Sequence, residues 1–405
     1  MAVNLPPLPE LHPIAGIRLG TARAHIRKQD RRDLVVIECA PGTQAAAVFT
    51  QNRFCAAPVT VARAHLALSA PRALLVNTGF ANAGTGTEGI DDAQRTCTAL
   101  AAALHCEAQE VLPFSTGVIG ERLPVERVVA GLPACITDLN ENGWAQAAHG
   151  IMTTDTLPKG SSRRVTIAGK TLTVTGIAKG SGMICPNMAT LLAFVGTDAA
   201  VPSSILQHAL SAAANESFNR ISVDGDTSTN DACLLLATGK AGVEIRETRG
   251  SAYEAFYAAV REVLIELSQA IVRDAEGATK FITIDVVHGA SQADCLEVAY
   301  TIAHSPLVKT AFFASDPNWG RILAAVGRAR IATLDVDKVT IYLDDVCIVR
   351  AGGRAADYRE AQGKVVMAKP EIAVRVDLGQ GSASARLWTC DLSHEYVRIN
   401  AEYRS

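Results

Sequence analysis

Several features that would place this chain in a special class of protein are scarce or missing. Aromatic residues make up only 5% of the 405 positions, charged residues make up 20%, and the formal net charge is −3. A chain with so little net charge has no global basic field to attract nucleic acid or an anionic membrane. No apolar run approaches the about 20 residues that a membrane-spanning helix needs, and the first ten residues lack the basic and apolar regions of a secretory signal. We therefore expect neither nucleic acid nor a membrane among its partners.

Signals for disulfides and for metal are also missing. The ten cysteines include no C-x-x-C pair, and residues such as Cys39 and Cys347 stand in apolar runs typical of strands. This usage indicates thiols in a reducing compartment, so we expect a cytoplasmic protein without a disulfide framework. The nine histidines form no H-E-x-x-H motif or close pair. The acidic run 224–230 resembles a calcium loop but has Thr229 at the glycine position and Leu235 at that of the bidentate acid, so we expect no metal site.

The chain does contain a regular alternation of short β-rich runs with alanine-rich helical runs, and 48% of its residues are hydrophobic. Buried strands are predicted at 34–37, 46–49, 73–76 and 110–114, and a hairpin is predicted at 165–174 with its turn at Gly169. Helices are predicted at 90–106, 202–214, 252–274 and 291–304. These runs predict a mixed α/β fold in which layered sheets are covered by helices.

A glycine pattern at 84–89, G-x-G-x-x-G, stands just before the first of these helices. In a dinucleotide-binding fold such glycines follow the strand directly, but here residues 77–83 intervene. A nucleotide-binding oxidoreductase built on this run stays an alternative interpretation, and calorimetry with NAD and NADP would test it.

The most informative segment is K-G-S-G-M-I-C-P-N-M-A-T at 179–190, which runs into the apolar stretch L-L-A-F. Its glycines accept positive φ angles and Pro186 restricts its neighbour, so one peptide bond can be held in a strained geometry. If the Thr190 hydroxyl attacks the Ala189 carbonyl, the amide becomes an ester, and water then releases a new N-terminal threonine. Its α-amine, with a pKa of about 8, would serve as the base for its own hydroxyl. On the pattern alone, a threonine that opens a buried strand is the plainer interpretation.

This segment resembles the cleavage and nucleophile motif of the ornithine acetyltransferase family, which it matches at every defined position. Further blocks resemble the same family in the same order along the chain: 49–59, 115–120, 152–156, 273–280, 316–321 and 396–405. One position departs from the pattern, because Phe80 stands where the family usually has asparagine. The resemblance spans nearly the whole chain, and it implies the family's fold of layered sheets with an N-terminal-nucleophile site.

The resemblance implies transfer of an acetyl group from N2-acetyl-L-ornithine to L-glutamate in arginine biosynthesis, a glutamate N-acetyltransferase activity with ping-pong kinetics. It implies self-cleavage between Ala189 and Thr190 into the pieces 1–189 and 190–405, and an assembly of two copies of each piece. No cofactor is implied, since the acetyl group stays on Thr190 between the half-reactions. We favour a bifunctional enzyme that also uses acetyl-CoA. A monofunctional transacetylase and a self-cleaving amide hydrolase or aminopeptidase of the same fold stay open as alternatives.

The resemblance also assigns roles to individual residues. Thr116 and Gly117 would stabilise the oxyanion. The residues implied to contact substrate are Thr153, Lys179, Thr190, Glu276, Asn400 and Ser405. The Lys179 ammonium suits the α-carboxylate that both substrates share, and we expect Glu276 to pair with the cationic amine of ornithine. Without the resemblance, the Thr116-Gly117 pair would be interpreted as a turn that ends a strand. Lys179 would then be a surface lysine, and Glu276 a solvated carboxylate at a helix end.

Overall fold

The computed structural model describes residues 2–27, 30–185 and 191–402. This part of the chain holds sixteen β-strands and eleven α-helices. The strands are β1 Ile17–Ala22, β2 Leu34–Cys39, β3 Gln44–Phe49, β4 Ala73–Phe80, β5 Val111–Val118, β6 Lys159–Ile167, β7 Lys170–Lys179, β8 Leu192–Thr197, β9 Ile221–Ser222, β10 Ala232–Ala237, β11 Phe281–Gly289, β12 Thr340–Leu343, β13 Val346–Arg350, β14 Gly353–Arg354, β15 Glu371–Asp377 and β16 Ala383–Cys390. The helices are α1 Ala57–Leu68, α2 Gly86–Leu104, α3 Val125–Thr137, α4 Trp144–Gly150, α5 Ser203–Glu216, α6 Ser251–Arg273, α7 Gln292–Ala303, α8 Pro306–Phe313, α9 Trp319–Gly327, α10 Glu360–Met367 and α11 His394–Ala401. None of these helices has the length and apolar character needed to cross a membrane.

Two sheets face each other in the first part of the fold. One has four strands in the order β1-β2-β4-β5, and the other has five in the order β3-β10-β8-β7-β6. Side chains at alternate positions meet between them. Phe114 of β5 and Phe194 of β8, for example, make an edge-to-face contact with ring centroids 5.2 Å apart. Because the central strands are buried on both faces, their sequences are continuous apolar runs, which is why the sequence reveals them.

Helices cover the outer face of each of these sheets. On the four-stranded sheet, Leu100 of α2 and Leu132 of α3 share a core with Val36 and Leu75 of the sheet. On the five-stranded sheet, α5 and α6 pack against the side chains that β7, β8 and β10 direct away from the first sheet. The arrangement is a four-layer stack of helix, sheet, sheet and helix, as expected when each apolar face must be covered.

The C-terminal part of the chain builds a third sheet of seven strands in the order β14-β13-β12-β15-β11-β16-β9. Helices α7, α8, α9 and α10 pack on this sheet around a separate core. The last helix, α11, buries none of its residues. Since it contributes nothing to an apolar core, polar contacts have to hold it in place.

The predicted mixed α/β fold is confirmed. Helices α5, α6 and α7 begin and end within two residues of their predicted limits. The predicted hairpin is β6–β7, and Ala168 and Gly169 in its turn both have positive φ, as a type I′ turn requires. The strand predicted at 110–114 is longer than expected, because β5 continues to Val118 beside the parallel strand β4. The Thr116-Gly117 pair therefore lies inside a strand and not in a turn after it.

The predicted pieces 1–189 and 190–405 are interleaved in this fold. Of the five-stranded sheet, β3, β6 and β7 belong to the first piece, while β8 and β10 belong to the second. Strands β7 and β8 flank the predicted cleavage site and are antiparallel neighbours, with Lys179 opposite Leu192. Ala189 and Thr190 themselves lie outside the described residues.

Candidate active site

A cavity of about 270 Å³ lies where β5 and β7 end and where β8 and β10 begin. It is lined by all six predicted site residues that the structure describes: Thr116, Gly117, Thr153, Lys179, Glu276 and Asn400. These residues come from distant stretches of the chain, so the fold alone brings them together. The other three predicted site residues, Ala189, Thr190 and Ser405, lie outside the described residues. Leu191, which follows Thr190 in the sequence, lines the cavity.

Gly117 is glycine because of its backbone angle and its neighbour. It lies in β5 with a φ of +137°, a value that side chains rarely allow. A Cβ at this position would also overlap the backbone of Gly79 on the adjacent strand β4. Gly117 lines the cavity with backbone atoms alone, which permits the close approach that stabilising a developing oxyanion requires.

Lys179, the last residue of β7, is half-buried at the cavity wall. Its Nζ donates a hydrogen bond to Thr116 Oγ1 at 3.0 Å. Burial lowers the pKa of Lys179, while the nearby Asp155 carboxylate opposes that shift. A cation held in such a poorly solvated position would gain from an anionic ligand, because the ligand would replace lost hydration. The Thr116 hydroxyl accepts this bond, so its own proton is available for an oxygen in the cavity.

Glu276 lies in the turn after α6 and is only 8% exposed. Its Oε2 accepts a hydrogen bond from Asn400 Nδ2 at 2.8 Å, and its backbone N–H donates to Ser181 O at 2.9 Å. A Cβ on Gly182 would collide with the Glu276 carboxylate. The glycine segment after β7 therefore makes the space that the carboxylate occupies. The same cavity is bordered by the Lys179 cation and the Glu276 anion.

Asn400 lies on α11. Because this helix buries none of its residues, polar contacts hold it in place. Ser393 caps the helix by accepting from the Tyr396 N–H, and its hydroxyl donates to Gly277 O at 2.6 Å. The Tyr396 hydroxyl donates to Asp224 Oδ2 at 3.2 Å. Gly277, which accepts the bond from Ser393, directly follows Glu276 in the turn. The helix that carries Asn400 is therefore bonded to the turn that carries Glu276.

A buried ionic cluster beneath the cavity was missed by the sequence reasoning. Lys159 Nζ lies 2.7 Å from Asp155 Oδ1 and 2.7 Å from Asp274 Oδ2, and all three side chains are fully buried. Asp155 also accepts from the N–H groups of Gly180 and Thr153 at 2.8 and 3.0 Å. Burial alone would raise the pKa of Asp155, but Lys159 and Lys179 outweigh it and hold that pKa below its usual value. The cluster fixes Thr153 and the start of the glycine segment.

The acidic run 224–230, which does not fit a calcium loop, contributes a carboxylate that binds backbone groups. Asp224 accepts hydrogen bonds from the backbone N–H groups of Met183 and Ile184, at 2.6 and 2.9 Å. Met183 has a φ of +55°, which a non-glycine residue rarely adopts without support. Asp224 therefore holds the chain that leads to the predicted cleavage site.

Two sequence features remain, and neither contributes a residue to the lining of this cavity. The 84–89 glycine run begins several residues after β4 ends at Phe80, and none of its glycines lines the cavity. Phe80, the departure from the family pattern, does not line it either. Its ring lies under the guanidinium of Arg27, 5.3 Å from carbon to ring centroid. Phe80 is nevertheless the β4 partner of Thr116 and Val118 in β5, and both of these residues line the cavity.

Comparisons with known proteins agree with the motifs. The model of the ArgJ family matches residues 18–405. The arginine biosynthesis bifunctional protein ArgJ of Pseudomonas fluorescens is 57% identical over 406 residues, which cover 100% of both chains. Its namesake from Methylococcus capsulatus is 60% identical over 395 residues, 98% of this chain and 97% of that one. The crystal structure of the Bacillus halodurans ArgJ protein is 37% identical, covers 51% of this chain and 97% of its own, and has a TM-score of 0.49. Because a family model and full-length relatives both match, this chain belongs to the ArgJ family.

Proposed function

We propose that this protein transfers an acetyl group from N2-acetyl-L-ornithine to L-glutamate, after cutting its own chain between Ala189 and Thr190. The acetyl group would be carried by the Thr190 hydroxyl. Relatives that match the whole chain are named as arginine biosynthesis bifunctional proteins, which supports a reaction of arginine biosynthesis. The charges of the cavity support these substrates in particular.

The observation that carries the proposal is the placement of Lys179 and Glu276 on one cavity. Acetylornithine has an α-carboxylate and a terminal ammonium group, while its α-nitrogen is neutral because it is acetylated. Lys179 can bind the carboxylate and Glu276 the ammonium, so the acetyl group lies between the two charged ends. A cavity of about 270 Å³ holds one amino acid of this size at a time, which fits an exchange in two steps.

The proposed chemistry uses the roles that the family resemblance implies for Thr190, Thr116 and Gly117. Thr190 Oγ attacks the acetyl carbonyl carbon and its proton passes to the Thr190 α-amine, while Thr116 and Gly117 stabilise the oxyanion. The bond from the acetyl carbon to the ornithine nitrogen breaks, and that nitrogen takes the proton from the α-amine. Ornithine leaves with its α-amine restored and the acetyl group remains as an ester on Thr190. Glutamate enters, and its neutral amine attacks the ester carbonyl carbon and gives a proton to the Thr190 α-amine. The bond from the acetyl carbon to Thr190 Oγ then breaks, Oγ takes that proton to become a hydroxyl again, and acetylglutamate leaves.

We propose further that acetyl-CoA serves as a second donor, in keeping with the word bifunctional in the names of the relatives. A steady-state assay with acetyl-CoA and glutamate but without acetylornithine tests this. Production of acetylglutamate supports a bifunctional enzyme, and its absence leaves a monofunctional transacetylase. No bound cofactor enters the scheme, since the acetyl group stays on the enzyme.

We also propose that the two pieces stay together and that two copies of each form the active assembly in the cytoplasm. The interleaved strands of the five-stranded sheet support the first part, because separating the pieces would break the β7–β8 ladder. The ten cysteines, none of them in a disulfide, fit a reducing compartment. Light scattering of the purified protein measures the assembly.

A denaturing intact-mass spectrum is the first test. Two chains of about 20 and 23 kDa, dividing 42.7 kDa in proportion to length, with the heavier one starting at Thr190, are expected. Thr190→Ala should remain uncut and should not turn over acetylornithine. A Thr190→Ala protein that is active would refute the mechanism. Consumption of acetylornithine by the wild type without glutamate would indicate a hydrolase instead.

A further inference from the structure

A second cavity, of about 170 Å³, adjoins the active-site cavity. Four residues line both cavities: Gly117, Val118, Thr153 and Thr154. Helix α11 borders both as well, with Asn400 on the first cavity and Ile399 on the second. The second cavity therefore lies beside the predicted oxyanion segment of β5 and beside Thr153, a predicted substrate contact. The proposed scheme leaves it without a ligand.

Arg31 lines this second cavity and is a partly buried cation that has no ion pair among the described residues. It lies in the loop before β2, and its guanidinium donates to two backbone carbonyls, Thr153 O at 3.2 Å and Met152 O. A guanidinium has five N–H donors, so these bonds leave some of them for a ligand. Burial lowers the pKa of Arg31, while the carboxylates of Asp155 and Asp33 oppose that shift without pairing with it. A cation in such a place gains from an anionic ligand, because the ligand replaces lost hydration.

The other charged groups on this cavity already have partners. These groups and their partners are Asp33 with the Ala24 and Ile26 N–H groups at 2.7 and 2.6 Å, Arg27 with Glu121 at 2.9 Å, and Glu402 with Arg398 at 3.4 Å. Asp155 does not line the cavity, and it bonds Lys159 and two backbone N–H groups. An anionic ligand that enters the second cavity would therefore meet the charge of Arg31 without breaking an ion pair of that residue.

Glutamate needs a second cation in a way that acetylornithine does not. Both substrates have an α-carboxylate, which the proposed function assigns to Lys179. At its other end acetylornithine has an ammonium for Glu276, whereas glutamate has a second carboxylate that Glu276 would repel. Among the described residues that line the first cavity, Lys179 is the one cation. Burying an unpaired carboxylate is costly, so the side chain of glutamate has to find its cation outside the first cavity.

We infer that Arg31 binds the side-chain carboxylate of the acceptor glutamate, and that the second cavity is the subsite for this group. The inference rests on the proposed function, because it takes glutamate as the acceptor and Lys179 as the partner of its α-carboxylate. A guanidinium can form two parallel hydrogen bonds with a carboxylate, which gives geometric specificity as well as affinity. The ammonium of ornithine would be repelled by Arg31 and attracted by Glu276. The enzyme would thus bind the side chains of its two substrates in different cavities, according to their charge.

The experiment compares the wild type with Arg31→Met and with the matched control Arg32→Met. Arg32 is the next residue in the sequence and is partly buried like Arg31. It pairs with Asp138 at 3.2 Å and lines neither of the two cavities. Values of kcat/KM are measured separately for acetylornithine and for glutamate, since each reports its own half-reaction. Glutamine, an uncharged acceptor of the same length as glutamate, is measured beside it, while intact mass reports cleavage and thermal unfolding reports folding.

We expect Arg31→Met to lower kcat/KM for glutamate by about 10- to 150-fold, the factor for a hydrogen bond to a charged group, and to leave kcat/KM for acetylornithine unchanged. The preference of the wild type for glutamate over glutamine should shrink by a similar factor. Arg32→Met should match the wild type in both values and in this preference.

Equal losses for the two substrates in Arg31→Met would overturn the inference, because Arg31 would then act only by holding Thr153. An unchanged preference for glutamate over glutamine would overturn it too. If Arg31→Met does not fold or is not cut, Arg31→Gln is measured under the same criteria, and a wild type that uses glutamine as readily as glutamate refutes the inference whichever variant folds. An uncut wild type, or one that does not transfer acetyl from acetylornithine to glutamate, would instead overturn the proposed function.

Discussion

Replacing Glu276 with glutamine should separate the two substrates from each other. Glutamine has the same shape, and its amide oxygen can still accept the hydrogen bond from Asn400 that Glu276 Oε2 accepts at 2.8 Å. Only the negative charge is lost. Since acetylornithine brings a terminal ammonium to this position and glutamate brings a carboxylate, the loss should harm the first substrate only.

The size of the effect follows from the burial of the carboxylate. Glu276 is 8% exposed, so its pairing with an ammonium is little screened by water. A hydrogen bond to a charged group contributes about 1.5–3 kcal/mol, which corresponds to about 10- to 150-fold in kcat/KM. For glutamate the substitution removes a repulsion between two carboxylates, and kcat/KM should be unchanged or higher.

Ping-pong kinetics make this measurable, because kcat/KM for each substrate reports its own half-reaction. Initial rates are recorded while acetylornithine and glutamate are varied separately. Lys179→Met is the matched comparison, because its ammonium is assigned to the α-carboxylate that both substrates have. That variant should lower both values by similar factors. Equal losses for the two substrates in Glu276→Gln would refute the charge pairing, even if activity fell steeply.

Two further substitutions test how the site is supported. Lys159→Met leaves two buried carboxylates without their cation, which should cost about 3–5 kcal/mol and lower Tm by about 4–6 °C. The control is Lys364→Met, which breaks only an exposed ion pair. If Lys159→Met lowered Tm as little as Lys364→Met does, the role of the buried cluster would be contradicted. Gly182→Ala should reduce kcat/KM for acetylornithine, because its Cβ would displace the Glu276 carboxylate. Gly327→Ala, whose Cβ would meet no atom within 4 Å, should match the wild type, and a Gly182→Ala enzyme that also matched it would contradict the packing argument.

Much of the fold could be predicted from the sequence because its elements are local. Helix α6 was found within one residue at each end, since its apolar positions recur with the helical period. The hairpin β6–β7 was found from the glycine in its turn. The length of β5 could not be predicted, because its last four residues, including Gly117, continue as a strand only where β4 lies beside them.

The resemblance named six residues that line one cavity, but it named none that only the tertiary pairing of strands brings there. Asp231 lines the cavity without any local signal in the sequence, because the parallel pairing of β10 with β8 brings it there. Asp224 was considered only as a ligand in a calcium loop, and its true partners are backbone groups about 40 residues earlier in the chain.

Lys159 and Lys179 show most clearly why the sequence is not enough. Lys159 is the first residue of the β6–β7 hairpin and Lys179 is the last. Each is followed by glycine and serine, so the neighbouring residues do not distinguish a structural lysine from a substrate-binding one. Lys159 is neutralised by two carboxylates, and one of them, Asp274, is 115 residues away in the sequence. Lys179 instead bonds a threonine hydroxyl across the cavity. We therefore expect a carboxylate substrate to bind Lys179 and not Lys159. The ammonium of Lys159 is already paired with two buried carboxylates.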